Sequence, residues 1–119
     1  MGLTHVPVTI RNIVTRDSFT STFLIDTGCT ESMAPVSELT RIGIEPVGKR
    51  IYELANGKLE EYQYGFVEIS FLDERTVGQI LFAPENTEPL LGVISLESAG
   101  IMVDPKYQTL RKLSVHPLK

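Results

Sequence analysis

Asp26 stands where an acid is costly. It ends the apolar run Phe23-Leu24-Ile25 and is followed at once by Thr27, Gly28 and Cys29. The run reads as a strand buried on both faces, so it delivers the carboxylate towards the driest part of the molecule and then turns on a glycine. A carboxylate in such a place must be hydrogen-bonded, paired or chemically useful. Asp, Thr and Gly in succession are also good turn chemistry, so three residues alone do not decide between a structural and a catalytic acid. Cys29 offers a second chemistry, a thiol nucleophile, which needs a fixed imidazole as base. The two histidines, His5 and His116, lie near the chain ends, and a lone Cys beside an apolar strand is more often inert filler. One cysteine and two distant histidines lack the spacing of a metal site, so neither metal nor cofactor is expected.

The elements that must position Asp26 follow from periodicity. Val6, Val8 and Ile10 alternate with polar residues as in a half-buried strand, and a turn at Thr15-Arg16-Asp17-Ser18 reverses the chain into Phe19–Ile25. After the acid, Thr30 to Ala34 continues as a short extended piece. Pro35 suits the first turn of a short helix with Val36, Leu39 and Ile42 on one stripe and Gly43 as its stop. Arg50–Leu54 and Leu59–Phe71 flank Asn56-Gly57, a strong hairpin signal, and Lys49 to Phe66 reads as a projecting hairpin. Tyr62, Tyr64 and Phe66 share one face while Val67, Ile69 and Phe71 share the other. The switch at Gly65 predicts a bulge or a strand that passes between sheets. A turn at Asp73-Glu74 leads to a strand over Thr76–Phe82, with Val77 and Leu81 marking its buried side.

A polar loop, Ala83 to Pro89, precedes Leu90-Leu91-Gly92, a short buried strand ended by glycine. Val93 to Ala99 then suits a helix of about two turns stopped by Gly100. Ile101–Val103, an Asp104-Pro105 turn and Tyr107–Leu113 close the chain as two more strands. About seven or eight short strands with two short helices describe an all-β, barrel-like or sandwich domain. No internal repeat is present.

Length and charge bound the rest. The 119 residues suit one domain, 1–119, and hydrophobic residues at 42% with charged ones at 22% exclude a disordered or fibrous chain. A net charge of -4 with scattered basic residues argues against nucleic acid as a partner. No apolar stretch reaches a membrane span, and Met1–Pro7 lacks a secretory pattern, so no membrane partner and a cytoplasmic location are expected. Arg111, Lys112, His116 and Lys119 read as a solvated tail.

Taken together, Phe-Leu-Ile-Asp26-Thr27-Gly28, the segment Glu53–Lys58, and Leu90-Leu91-Gly92 with Leu96–Gly100 and Val103-Asp104-Pro105 resemble the retropepsin-like aspartic peptidases, especially the small single-domain members. The likeness runs over nearly the whole chain. It implies a closed acid-protease β-barrel with one or two short helices and a β-hairpin flap. It also implies Asp26 as the catalytic carboxylate, Thr27 and Gly28 as support of the catalytic loop, and Ala55, Asn56 and Gly57 as a flap over an extended peptide. Leu90, Leu91 and Gly92 would lie beneath the active site.

Hydrolysis by activated water needs one group to take a proton and another to give one. The chain carries a single Asp-Thr-Gly, so the simplest full site is a homodimer in which two Asp26 side chains meet across a twofold axis and hold one proton between them. The expected reaction is endopeptidase cleavage of an extended peptide or protein substrate, favoured at mildly acidic pH. The chain departs from the family at Cys29, where Ala or Ser is usual, and at Val93, where retroviral enzymes carry an arginine. A noncatalytic dimerisation or peptide-binding module with the same fold is the alternative.

Overall fold

The computed structural model describes residues 4–104, 109–116 and 118. Among them the chain order is β1 (Thr4–Arg11), β2 (Ser18–Ile25), β3 (Ser32–Pro35), α1 (Val36–Arg41), β4 (Gly48–Glu53) and β5 (Leu59–Phe71). Then follow β6 (Glu74–Ala83), β7 (Leu90–Leu91), α2 (Val93–Ser98), β8 (Ile101–Asp104) and β9 (Thr109–Lys112). The nine strands among the described residues exceed the expected seven or eight because the short extended piece after Asp26 is a strand in its own right, β3, paired with β6 and β7. Pro105 and Tyr107, where a turn and a strand start were expected, lie outside the described residues.

Seven strands form one sheet in the order β1-β2-β7-β3-β6-β5-β4, and β1 also pairs with β5. That extra pairing closes a six-stranded ring and leaves β4 outside it, paired among the described strands with β5 alone. β1 and β2 form an antiparallel hairpin from Thr4↔Ile25 to Arg11↔Ser18, and the ring closes where Thr9, Ile10 and Arg11 meet Ser70, Ile69 and Glu68. Closure removes the edges that an open sheet of this size would expose. Val8, Ile10, Phe23, Val67, Ile69, Ile80 and Leu91 fill the interior at 0% exposure, and Leu39 and Leu96 of the helices plug its sides. Neither helix exceeds six residues, and no helix among the described residues is long and apolar enough to cross a membrane.

β5 resolves the expected switch of face at Gly65. No bulge occurs, because the register with β6 runs unbroken through Tyr64↔Leu81, Gly65↔Ile80 and Phe66↔Gln79. The strand instead changes partner along its other edge, from β4 as far as Tyr64 to β1 from Glu68. A Cβ at Gly65 would come within 3.0 Å of the Glu45 carbonyl, so the crossing backbone explains the glycine.

Two further expectations are corrected. Val77 and Leu81 do share a face of β6, but it is the outer one: Leu81 is covered by the β4–β5 hairpin, whereas Val77 is 56% exposed, and Ile80 and Phe82 face the core. Pro35 is the N-cap of α1 and the last residue of β3, not a residue of the first turn. Asn56-Gly57 does lie in the connection of the expected hairpin, between β4 and β5. Leu54 N–H donates to the Lys58 carbonyl and Gly57 N–H to the Leu54 carbonyl, each at 2.8 Å, so Ala55, Asn56 and Gly57 make a three-residue loop with Gly57 at φ +83°. Gly43 and Gly100 end the helices at positive φ, as the sequence predicts.

Candidate active site

β2 delivers Asp26 because Phe23, Leu24 and Ile25 are all buried, with Leu24 and Ile25 paired in parallel to Leu90 and Leu91 of β7. The backbone continues this register past the strand ends. Leu24 N–H donates to the Pro89 carbonyl at 2.9 Å and Asp26 N–H to the Leu91 carbonyl at 3.1 Å. Beyond Gly92 the direction of support reverses: Val93 N–H donates to the Cys29 carbonyl at 2.9 Å and Ile94 N–H to the Thr30 carbonyl at 3.2 Å. The Asp26 loop is therefore stitched to the Leu90-Leu91-Gly92 segment from both ends.

Gly92 fits because nothing larger can. A Cβ there would lie 2.5 Å from the Glu31 carbonyl oxygen and 2.6 Å from that of Thr30, contacts with backbone that cannot swing away. Its N–H donates to Ser32 Oγ at 3.0 Å, and Ser32 Oγ lies 2.6 Å from Ser95 Oγ. Both serines are buried, and their pairing satisfies polar groups beneath the loop. Sequence reasoning missed them, since neither stands in a motif; their one signal is a small polar residue inside an apolar stretch.

Around the acid the chain makes a tight turn. Cys29 N–H donates to the Asp26 carbonyl at 3.0 Å, and Gly28 N–H donates to Asp26 Oδ1 at 2.9 Å. A Cβ at Gly28 would sit 3.2 Å from that same oxygen, so any side chain would crowd the carboxylate. Asp26 is half-buried, and Thr27 and Gly28 are exposed. This corrects the expectation of a carboxylate in the driest part of the molecule: the strand leading to Asp26 is dry, but the loop emerges at the surface of the single chain.

Cys29 is half-buried, with Sγ 3.2 Å from the Glu31 carbonyl as donor. Burial first, then the negative charges of Asp26 and Glu31, push its thiol above the ordinary value, against the opposing effect of the hydrogen bond to Glu31. A thiol held in its neutral form is a poor nucleophile. His5 Nε2 is 2.9 Å from Glu88 Oε2 at the surface, so it is paired with that acid.

The β4–β5 hairpin covers the loop. A cleft of about 230 Å³ lies between them, lined by Gly28–Glu31, Tyr52–Ala55, Met33, Tyr62 and Leu81. Of the three expected hairpin-tip residues, Ala55 lines this cleft; Asn56 instead accepts the Lys58 N–H at 2.9 Å through Oδ1, and Gly57 supplies the turn. Tyr62, which the sequence favours as packing beneath the flap, instead lines the cleft and meets Tyr52 edge-on at 6.1 Å. Tyr64 packs, with the Arg50 guanidinium 4.4 Å from its ring centroid. Among the described residues no group of three His, Cys, Asp or Glu side chains is placed to hold a metal ion.

No family model matches this chain, and no curated protein matches it in sequence. The fold does have a counterpart. The solution structure of the protease of simian foamy virus (mac) is similar to it with a TM-score of 0.56, over 78% of this chain and 91% of that one, at 13% sequence identity. The closed barrel with its outlying hairpin is thus the retroviral protease fold.

Proposed function

We propose that the chain is one subunit of a homodimeric aspartic endopeptidase, with Asp26 as its catalytic carboxylate. The observation that carries this reading is the setting of Asp26: an acid on a loop pinned by Leu91 and Val93, whose following residues Gly28 to Glu31 line a cleft roofed by a hairpin, in a fold similar to a foamy virus protease. A carboxylate held this firmly and yet accessible suits chemistry better than structure.

One carboxylate does half of the work. In the proposed dimer, the ionised Asp26 takes a proton from a water molecule as that water attacks the scissile carbonyl, and the protonated Asp26 of the second copy donates to the carbonyl oxygen. No acyl-enzyme forms. The exposed Thr27 and Gly28 would meet their symmetry mates, and the absence of a side chain at Gly28 lets the two loops approach. The hairpin through Ala55, Asn56 and Gly57 is the proposed flap, closing on an extended peptide by main-chain pairing and excluding water. The low thiolate fraction at Cys29 favours this mechanism over a thiol nucleophile.

The test is mass-spectrometric mapping of a mixed peptide library, incubated with wild type and with Asp26→Asn over roughly pH 4 to 7.5, a window that extends above the range of a lone carboxylate. Cuts made only by wild type support the proposal. Equal cutting by both proteins removes Asp26 from the mechanism and refutes it, whereas no cutting at a concentration where the protein is dimeric refutes it in favour of a peptide-binding module.

A further inference from the structure

The cleft beside Asp26 has a chemistry of its own. Its volume of about 230 Å³ is below the range of roughly 300–1,000 Å³ typical of pockets that enclose a whole small ligand, so it suits one side chain. Tyr52 and Tyr62 form one wall. They are diagonal neighbours on one face of the hairpin, since Tyr52 opposes Glu60 and Arg50 opposes Tyr62, and their rings meet at 63°. Met33 adds a polarisable thioether, and Leu81, 2% exposed, adds an apolar surface from the barrel. Two carboxylates, the half-buried Glu31 and the exposed Glu53, also line it, and no lysine, arginine or histidine does. Arg50, on the same face, is committed elsewhere: Nη1 donates to Gln79 Oε1 at 3.0 Å and Nη2 to Tyr64 Oη at 3.3 Å.

Tyr52 is not free to turn. Gln79 Nε2 donates to its hydroxyl at 3.3 Å, while the other end of the same amide is held by Arg50. Gln79 belongs to β6, in the barrel wall, whereas Tyr52 and Arg50 belong to β4, which has no other strand beside it than β5. The amide is thus a bracket that fixes the base of an otherwise loosely held hairpin and sets the angle of the Tyr52 ring over the cleft.

We infer that Tyr52 and Tyr62 make the cleft a specificity pocket for an aromatic substrate side chain next to the scissile bond, and that Gln79 is the positioning residue that holds Tyr52 in place for it. The inference rests on the endopeptidase reading for the word substrate, though the pocket lies within one chain and binds without turnover. Edge-to-face contact with tyrosine rings and a sulfur contact favour an aromatic ring over a leucine of similar apolar area by roughly tenfold.

The experiment is a pair of measurements on the full chain. Peptides that differ at one position, Phe, Leu or Lys, are titrated calorimetrically into Asp26→Asn, and the same peptides are assayed for cleavage by wild type. The expected result is Phe bound about tenfold more tightly than Leu, and more tightly than Lys despite Glu31 and Glu53, with a matching Phe-to-Leu ratio of kcat/KM. Tyr62→Ala should bring Phe and Leu to within about twofold. Gln79→Leu should reduce the ratio about threefold, while Gln79→Glu, which can accept from both Tyr52 and Arg50, restores it. A merely structural role for Gln79 would lower stability and leave the ratio unchanged. Binding without a Phe preference, a preference for Lys, or cleavage indifferent to the side chain overturns the inference while leaving the peptidase reading intact. Phe-selective binding that Tyr62→Ala abolishes, in a chain that cuts nothing, upholds the pocket and refutes the peptidase.

Discussion

Gly92 shows how one residue controls the Asp26 loop. Its Cβ position is taken by the Thr30 and Glu31 backbone, so Gly92→Ala forces the loop away from β7. The expected cost is about 1–3 kcal/mol in urea unfolding, the usual penalty for overpacking, together with loss of Asp26-dependent cleavage. Gly57→Ala is the contrast: nothing lies near its Cβ, and the strain of a positive φ should cost about 1 kcal/mol locally. Cys29 gives a second residue-scale prediction. Because burial and the Asp26 charge disfavour its thiolate, iodoacetamide should reach half-maximal rate at a higher pH than with a free thiol, and Asp26→Asn should move that midpoint down. A midpoint equal to that of free cysteine would contradict the environment described for Sγ. Asp26 itself was legible from its apolar approach and the Thr-Gly that follows. Its half-exposure was not, because burial of a strand says nothing about the loop beyond its end.

At the scale of elements, the seam between β1 and β5 decides whether the barrel closes. Glu68, 8% exposed on the outer face of the seam, receives Arg16 through Nη1 at 3.0 Å and Nη2 at 3.4 Å, and Arg11 Nε lies 3.4 Å away. The Arg16 hydrogen bonds, reinforced by the charges of Arg16, Arg75 and Arg11, hold its carboxyl below the ordinary value of about 4.5 against the effect of burial. A group whose folded value is lowered stabilises fully above its unfolded value and loses that contribution as pH falls through the folded one. Urea midpoints of wild type and Glu68→Gln should therefore differ most near neutral pH and converge towards pH 3. Parallel acid limbs would show that the ion pair is not linked to folding. Asn12 supports the neighbouring turn: its Nδ2 donates to the Ile42 carbonyl at 2.9 Å, and its Oδ1 accepts the Val14 and Thr15 amides. Strands such as Leu59–Phe71 were legible to the residue from alternation and turn signals. The seam was not, because closure depends on pairing between distant segments, and Arg11, Arg16 and Glu68 read individually as ordinary surface charges.

For the whole molecule, the proposed stoichiometry is argued from what a single chain presents. One Asp26, on a loop whose Thr27 and Gly28 are exposed, gives one carboxylate per barrel, and water-mediated hydrolysis needs two groups of opposite protonation. The retroviral protease fold was legible in the order of the motifs, since Asp-Thr-Gly, the Asn-Gly hairpin and Leu-Leu-Gly each fix a local structure that the barrel brings together. The expected homodimer rests on the single Asp-Thr-Gly alone; which residues would form its interface was not legible, because a symmetric interface is assembled from surface residues that obey no period. Mixing tests it directly. When wild type is equilibrated with an equal amount of Asp26→Asn, random pairing leaves about half of the wild-type chains with an inactive partner, so activity per wild-type chain should fall by about half. A larger excess of Asp26→Asn should drive it towards zero, whereas dilution of wild type alone should reduce activity faster than concentration. Activity per wild-type chain that ignores the mutant at every ratio, once subunit exchange has been verified by mass, would mean that each barrel works alone and that the second proton-transferring group belongs to the same chain.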